Sequence, residues 1–420
     1  MMKSLAIKNV GPIRNVKLEL RAVNVLMGPQ GCGKSTIAQI ISFCCWLEKD
    51  CLIHMSTEHV DMEYVNNHLL DFYRMKSYFG RDSYISYEGE SISFRYEKGS
   101  VSVCKTDRFL YSVVGRVSYI PAERNIILLP NIGQIPMDMD YLRSYIFDWL
   151  NLRGRFDDGN AIGLLDMDVE YFYDDFKKRD MIRLNGKESI LLTEASSGVQ
   201  SATPLYASVK YLTDDIYRKK ESISFDRQML IGHSVDSVQD EIINSIENEQ
   251  KGQDSQDGIG VHSIIDGSEI DTRMAVIKDN ISRTHFANII MEEPELSIFP
   301  QSQVAIVHDF LRMLNMERDM LVFTTHSPYV LYALNNYMLG WLAKGNLEEE
   351  GEEGLLVQAD AFVNPESVSV WEIKDGEFLP SGSGNNGTIQ DANGLIRGNY
   401  FDRVMKEVMG SFSAFLSYYE

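Results

Sequence analysis

The chain has 420 residues, 44% hydrophobic, 24% charged and 10% aromatic, a balance that excludes wholesale disorder and a fibrous repeat and suits two or three compact units or one core enlarged by insertions. Forty Lys and Arg against 61 Asp and Glu give a formal net charge of −21. A chain this acidic is repelled by phosphate backbones at long range, so generic nucleic-acid coating is not expected, although a local basic groove stays open.

No apolar run approaches the about 20 residues needed to span a bilayer, so no membrane is expected. The first residues, MMKSLAIKNVGPI, alternate like a strand and lack a signal-peptide pattern. Five cysteines without a CxxC pair point to a reduced, cytoplasmic setting.

Leu5–Val10 and Val16–Leu20 alternate apolar and polar residues around the Gly11-Pro12 turn, and Val23–Met27 is a short apolar run ending at glycine. Apolar residues at helical spacing (Ile37, Ile40, Ile41, Cys44, Leu47) then predict a helix over Ser35–Leu47. Tyr84–Tyr87, Ser91–Tyr96 and Val101–Lys105 are β-prone runs separated by turns, an antiparallel patch. Beyond residue 120 helices are expected at Asp138–Leu152, Val169–Lys178 and Gln200–Tyr217. Glu221–Arg283 has no strong period and includes QKGQDSQDG, the composition of a helical or mobile insertion. Ala287–Met291 and Met320–Thr324 are continuous apolar runs, the pattern of strands buried on both faces. EEEGEEG after Leu347 reads as an acidic surface loop, Val368–Ile373 with Glu377–Leu379 as a hairpin, and a closing helix follows from about Gly398.

Four motifs carry chemistry. Gly28-Pro-Gln-Gly31-Cys-Gly33-Lys34-Ser35 fits G-x-x-x-x-G-K-[ST] between a predicted strand and a predicted helix. Its glycines let backbone N–H groups wrap a β-phosphate, Lys34 would reach the β- and γ-phosphates, Ser35 would ligate Mg²⁺, and Thr36 would add an α-phosphate contact. Ile289-Ile-Met-Glu292-Glu293 ends a buried strand in two acids, of which Glu292 is assigned to the metal and Glu293 to the general base. Thr325-His326-Ser327-Pro328 ends a second buried strand and places a histidine at the sheet edge where ligands bind in such folds. Ser196-Ser197-Gly198-Val199-Gln200 precedes an amphipathic helix; its hydroxyls and free N–H groups can hold an anion or simply cap the helix.

In this order the four elements resemble the ATP-binding-cassette ATPases, specifically the SMC-like branch and within it the OLD-like ATPases of bacterial antiphage systems such as Septu, PARIS, Gabija and OLD. Tyr119-Ile-Pro-Ala-Glu-Arg124 and Glu293-Pro-Glu-Leu with Phe299-Pro300 are similar to phrases of that branch. The resemblance implies an α/β fold, an ABC-type P-loop NTPase with a mixed sheet core, an antiparallel β patch and a helical lobe, and Walker A and Walker B on neighbouring strands. It implies an ATPase core in residues 1–120 and 284–345, a lobe with the signature in 121–220, an insertion in 221–283 and an extension in 346–420. It further implies ATP and Mg²⁺ as cofactors, with Lys34, Glu293 and His326 catalytic, Ser35 and Glu292 at the metal, and Gly28, Gly31, Gly33, Lys34, Ser35, Thr36, Ser197, Gly198 and Gln200 at the nucleotide. The implied function is an ATP-hydrolysing switch, a homodimer or larger homo-oligomer clamping nucleotide between subunits and controlling a separate effector, a nuclease, in antiphage defence.

Three positions depart from the pattern: Val199 stands for a signature glycine, Glu292 for the more general Asp, and no glutamine occupies a Q-loop place, for which Glu123, Arg124 and Gln134 are the candidates. The stretch after His326 lacks the acidic order of a TOPRIM nuclease, and Asp138–Asp140 and Asp166–Asp168 read as solvated helix ends of the lobe. The alternative, an SMC-like DNA-tethering repair ATPase, calls for long heptad arrays, and residues 35–194 hold no sustained one. A transporter cassette fits neither the degenerate signature nor the long insertion.

Overall fold

A computed structural model describes residues 3–165, 167–218, 224–246, 267–379 and 387–419. Its centre is an eleven-stranded mixed sheet in the order β6-β5-β4-β1-β2-β15-β14-β3-β13-β12-β7. Five strands form a parallel block: β7 (Arg116–Ile120), β12 (Ala287–Glu292), β13 (Met320–Thr325), β3 (Val23–Met27) and β14 (Val368–Lys374). β3, β12 and β13 are buried at every position, as continuous apolar runs covered on both faces must be.

The antiparallel wing runs through β2 (Ile13–Leu20), β1 (Lys3–Val10), β4 (Phe79–Glu88), β5 (Ile92–Glu97) and β6 (Ser100–Lys105). The expected hairpin forms from β14 and β15 (Glu377–Phe378), with Asp375 and Gly376 both at positive φ in its turn. The expected α/β class with a P-loop, mixed sheet and antiparallel patch is therefore present.

Helix α1 (Lys34–His54) packs its apolar stripe against the sheet, and its buried Glu48 ties it to the antiparallel wing. That carboxylate accepts from Lys3 Nζ at 2.9 Å, Tyr87 Oη at 3.0 Å and both the N–H and hydroxyl of Ser91. Burial opposes its charge, but Lys3 and Ser91 outweigh burial and hold its pKa below the ordinary range. On the other face of the sheet, Val23, Val25 and Met27 join a core built with α2 (Tyr141–Leu152), α3 (Ser197–Lys210), α4 (Pro300–Met313) and α5 (Pro328–Glu350).

Four expectations change. β13 lies between β3 and β12, so Walker A and Walker B are one strand apart rather than neighbours. Val169–Lys178 is no helix: Val169–Asp174 is β9, paired with β10 (Arg179–Leu184), and β8 (Ile162–Gly163) and β11 (Glu188–Leu191) complete a four-stranded antiparallel sheet inside the region expected to be helical. Aromatic and β-branched residues in V-E-Y-F-Y suit a pleated, half-buried surface better than a helix. Glu348–Glu350 does not loop out but finishes α5, which stops at Gly351 in the left-handed conformation (φ 69). Asp140 is a helix end, as expected, yet not solvated: it caps α2 through the Arg143 N–H and is buried beneath Arg74. Asp166 lies outside the described residues.

Within 221–283, Phe225–Ser237 and Gly267–Ser282 are helices whose Ile231, Val235, Ile277 and Ile281 enter the core around α1. QKGQDSQDG lies outside the described residues. Among the described residues no helix is long and apolar enough to cross a membrane.

Candidate functional site

Three parallel strands end side by side, Met27 of β3 against Thr325 of β13, and Thr324 against Glu292 of β12. The next residue of each, Gly28, His326 and Glu293, therefore opens onto one edge of the sheet. The P-loop leaves β3 with Gly28, Gly31 and Gly33 all at positive φ (146, 75 and 103). At Gly28 a Cβ would lie 2.3 Å from the Ile373 carbonyl oxygen, and at Gly33 2.3 Å from Ile13 Cδ1. β14 and β2 thus press the loop into a shape only glycine tolerates. α1 begins at once with Lys34, leaving its first N–H groups and its dipole directed at the loop.

Lys34 is buried, and its ammonium donates to the carbonyls of Gly28 at 3.0 Å and Pro29 at 2.9 Å. Burial lowers its pKa, so an anion within the loop would gain by pairing with it. Ser35 donates its hydroxyl to Glu292 Oε2 at 2.8 Å, and Tyr119 on β7 donates to the other carboxylate oxygen. Burial pushes the Glu292 pKa up, with the Tyr119 and Ser35 donors opposing it. A buried carboxylate met only by neutral hydroxyls, one of them from the P-loop, is a hard-oxygen set that suits Mg²⁺. The residues fit the ion.

Glu293 has φ 44, the left-handed region, where a side chain is unfavourable. Its N–H donates to the Thr324 carbonyl at 3.1 Å and hydroxyl at 3.2 Å, and its carboxylate lies 3.4 Å from His326 Nε2. The His326 contact holds its pKa below the ordinary value, so it is ionised at neutral pH. Both side chains stay about one-third exposed, 30% and 33%, open to water and substrate. The His326 N–H and the Thr325 hydroxyl both donate to Glu295 Oε1, at 2.6 and 2.9 Å.

Sequence reasoning placed Arg124 only as one candidate for a Q-loop role. It is fully buried. Nε donates to the Ser201 carbonyl at 3.1 Å, Nη1 to Glu292 at 3.0 Å, and Nη2 to Glu293 at 2.9 Å and Pro294 at 3.5 Å. One guanidinium thus clamps the turn after Walker B to the helix that carries the signature. Tyr119 and Glu295 were also missed as site residues. Their signal lies in the Y-I-P-A-E-R and E-E-P-E phrases, which place a phenol and a third acid close in sequence to Arg124 and Glu293.

The structure brings Lys34, Ser35, Glu292, Glu293 and His326 to one edge. Thr36 is buried in the first turn of α1. Ser197 is exposed at the start of α3, behind Ser196, whose hydroxyl accepts the Val199 N–H at 3.5 Å. Gly198 abuts the turn after Walker B, where a Cβ would stand 3.3 Å from the Ser297 carbonyl oxygen. Gln200 is turned inward, its amide donating to the Thr193 and Ala195 carbonyls at 3.0 Å each.

Residues 4–100 match the family model of an AAA domain. No curated protein matches the chain. Among solved structures, the chain is similar to the SMC head domain from Thermotoga maritima, with 10% identity, coverage of 79% of this chain and 91% of that one, and a TM-score of 0.33. It is also similar to the recombination mediator protein RecF, with 11% identity, coverage of 90% and 97%, and a TM-score of 0.29. A dimeric ATP-binding cassette in a post-hydrolysis state with ADP and Pi bound gives 9% identity, coverage of 90% and 97%, and a TM-score of 0.25. These likenesses are remote in sequence and in superposition, and the matched AAA segment takes in the P-loop and α1 but ends before Tyr119, Glu292 and His326.

Proposed function

We propose that the chain is a Mg²⁺-dependent ATPase acting as a switch. The observation that carries the reading is the meeting of a complete P-loop with Glu292, Glu293 and His326 at the ends of three parallel strands. The P-loop N–H groups and Lys34 bind the phosphates, and the Lys34 donors leave the Gly28 and Pro29 carbonyls for phosphate oxygens. Ser35 and Glu292 would hold Mg²⁺, which neutralises phosphate charge when bound. Glu293, ionised and fixed by its strained turn, orients the attacking water and takes its proton, while His326 steadies the carboxylate and faces the γ-phosphate. The direct test is ATP turnover with Mg²⁺ for the wild type and Glu293→Gln; equal rates would sink the assignment.

The finer reading follows the resemblance. Two copies pair head to tail and place Ser197 and the start of α3 of one on the γ-phosphate of the other, so that ATP closes the assembly and hydrolysis loosens it. What supports it is the exposure of Ser197 at the start of α3, beside Gly198, which abuts Ser297 of its own chain. The switch then governs a separate effector, a nuclease, in antiphage defence. Co-purification of the neighbouring gene product, with and without ATP, tests that part.

A further inference from the structure

The far end of α1 carries a cluster with no part in the P-loop chemistry. Asp50 and His54 stand four residues apart on one face of the last turns, and His59 folds back over them beyond the left-handed residue Met55 (φ 50). His59 Nε2 lies 2.8 Å from Asp50 Oδ2, His54 Nδ1 lies 3.6 Å from Asp50 Oδ1, and the two imidazole centroids are 4.6 Å apart. One ligand atom from each of the three falls within 4.8 Å of the other two.

We propose that Asp50, His54 and His59 form a binding site for a transition-metal dication of the zinc class. Two imidazoles and one carboxylate are the donors that such ions choose over Mg²⁺ or Ca²⁺, and three protein ligands leave one place for water. Metal–ligand bonds of about 2.0–2.2 Å put tetrahedral ligand atoms about 3.3 Å apart, so the side chains need to move by roughly 1 Å or less each. Outer contacts are already made. The Asp50 carbonyl lies 2.9 Å from His54 Nδ1 and helps to set the plane of that imidazole. Tyr64 donates its hydroxyl to Asp50 Oδ2 at 3.0 Å, and its ring packs edge-on to His59. The negative end of α1 adds attraction for a cation. All three residues are half-buried, shielded but reachable. At 1.5 Å per residue the cluster stands about 24–30 Å along α1 from Lys34, so it is separate from the Ser35–Glu292 oxygens. A bound ion would brace the end of the P-loop helix against the segment that follows it.

The experiment uses the full chain without an affinity tag, stripped with chelator and then titrated with Co²⁺ in excess Mg²⁺, which occupies the hard-oxygen site. We expect one equivalent of Co²⁺ with the intense visible bands of a four-coordinate site, displaced by Zn²⁺. His54→Ala and His59→Ala should each weaken Co²⁺ binding by at least about tenfold with the circular dichroism unchanged. Should an alanine variant fail to fold, His59→Gln, which keeps a polar side chain of similar reach, replaces it. A wild-type spectrum like that of six-coordinate aqueous Co²⁺, or four-coordinate binding indifferent to both histidines, overturns the proposal and leaves a plain Asp50–His59 ion pair.

Discussion

Replacing Arg124 tests whether the turn after Walker B is held from behind. The guanidinium is fully buried and makes three hydrogen bonds of 2.9 to 3.1 Å to the carbonyls of Ser201, Glu292 and Glu293, with a longer one to Pro294. Each such bond from a charged donor contributes about 1.5–3 kcal/mol, but burying the cation costs several kcal/mol, so the bonds cannot simply be summed. Arg124→Ala leaves buried carbonyls without their donor, at about 1–3 kcal/mol each, and opens a cavity, and should destabilise the protein by about 3–5 kcal/mol. Arg124→Lys keeps the charge without the fork and should lose about 2–3 kcal/mol, since one ammonium cannot reach carbonyls on two elements together. Turnover should fall as well. Glu293 sits at φ 44, a conformation costing about 1–2 kcal/mol that the chain leaves once the clamp is gone. Its carboxylate then drifts from His326, and kcat should drop by about tenfold or more while ATP affinity, set by the P-loop, changes little. Urea denaturation, equilibrium binding of a fluorescent ATP analogue and steady-state turnover measure the three quantities. A folded Arg124→Ala protein with stability within about 0.5 kcal/mol of wild type and unchanged kcat would refute the clamp.

Glu293→Gln should retain nucleotide binding and lose hydrolysis, whereas Lys34→Ala should weaken binding itself; isothermal titration beside a phosphate-release assay separates the two. Mixing inactive Lys34→Ala chains with inactive Ser197→Arg chains should restore part of the activity, because some mixed interfaces pair an intact Lys34 with an intact Ser197; no recovery in demonstrably mixed oligomers would end the shared-site reading. Glu292 has a folded pKa raised by burial above its ordinary value near 4.5, so folding favours its protonated form. Its contribution is fully present below that ordinary value and is lost as pH rises through the raised one. Glu292→Gln should therefore melt higher than wild type at pH 8 without metal, lose that advantage at pH 4, and show no Mg²⁺-dependent turnover; melting curves at the two pH values check the sign.

What could be read from sequence was local. The P-loop glycines, the apolar runs of β12 and β13 and the acids at Glu292–Glu293 announce themselves within a few residues. Lys34, Ser35, Glu292, Glu293 and His326 do converge on one edge. The small sheet was missed although its turn was signalled: Asn185-Gly186, both at positive φ between β10 and β11, is a strong hairpin dipeptide. Val169–Lys178 reads as a helix beside its helical neighbours, whereas pairing with β10 decides for strand. Arg124 and Tyr119 could not have been assigned by spacing. The partners of Arg124 are backbone carbonyls 77 and about 170 residues away, and Tyr119 meets its carboxylate across 173 residues.

The strand order also dictates when in synthesis the protein can begin to work. β3, which launches the P-loop, ends at Met27, yet its two sheet neighbours are β13 and β14, from residues 320–325 and 368–374. At about 5–20 residues per second a ribosome needs roughly 20–70 s to supply both. Until then the nascent chain carries an apolar strand with at least one open edge and a glycine loop without the Ile373 carbonyl that packs on it. A product cut short before Val368 would hold the P-loop, Glu292, Glu293 and His326 and still lack β14, one of the two strands flanking β3. Synthesis must pass residue 374 before the strand that packs on the P-loop exists, and until then an apolar edge of β3 is open to wrong pairing.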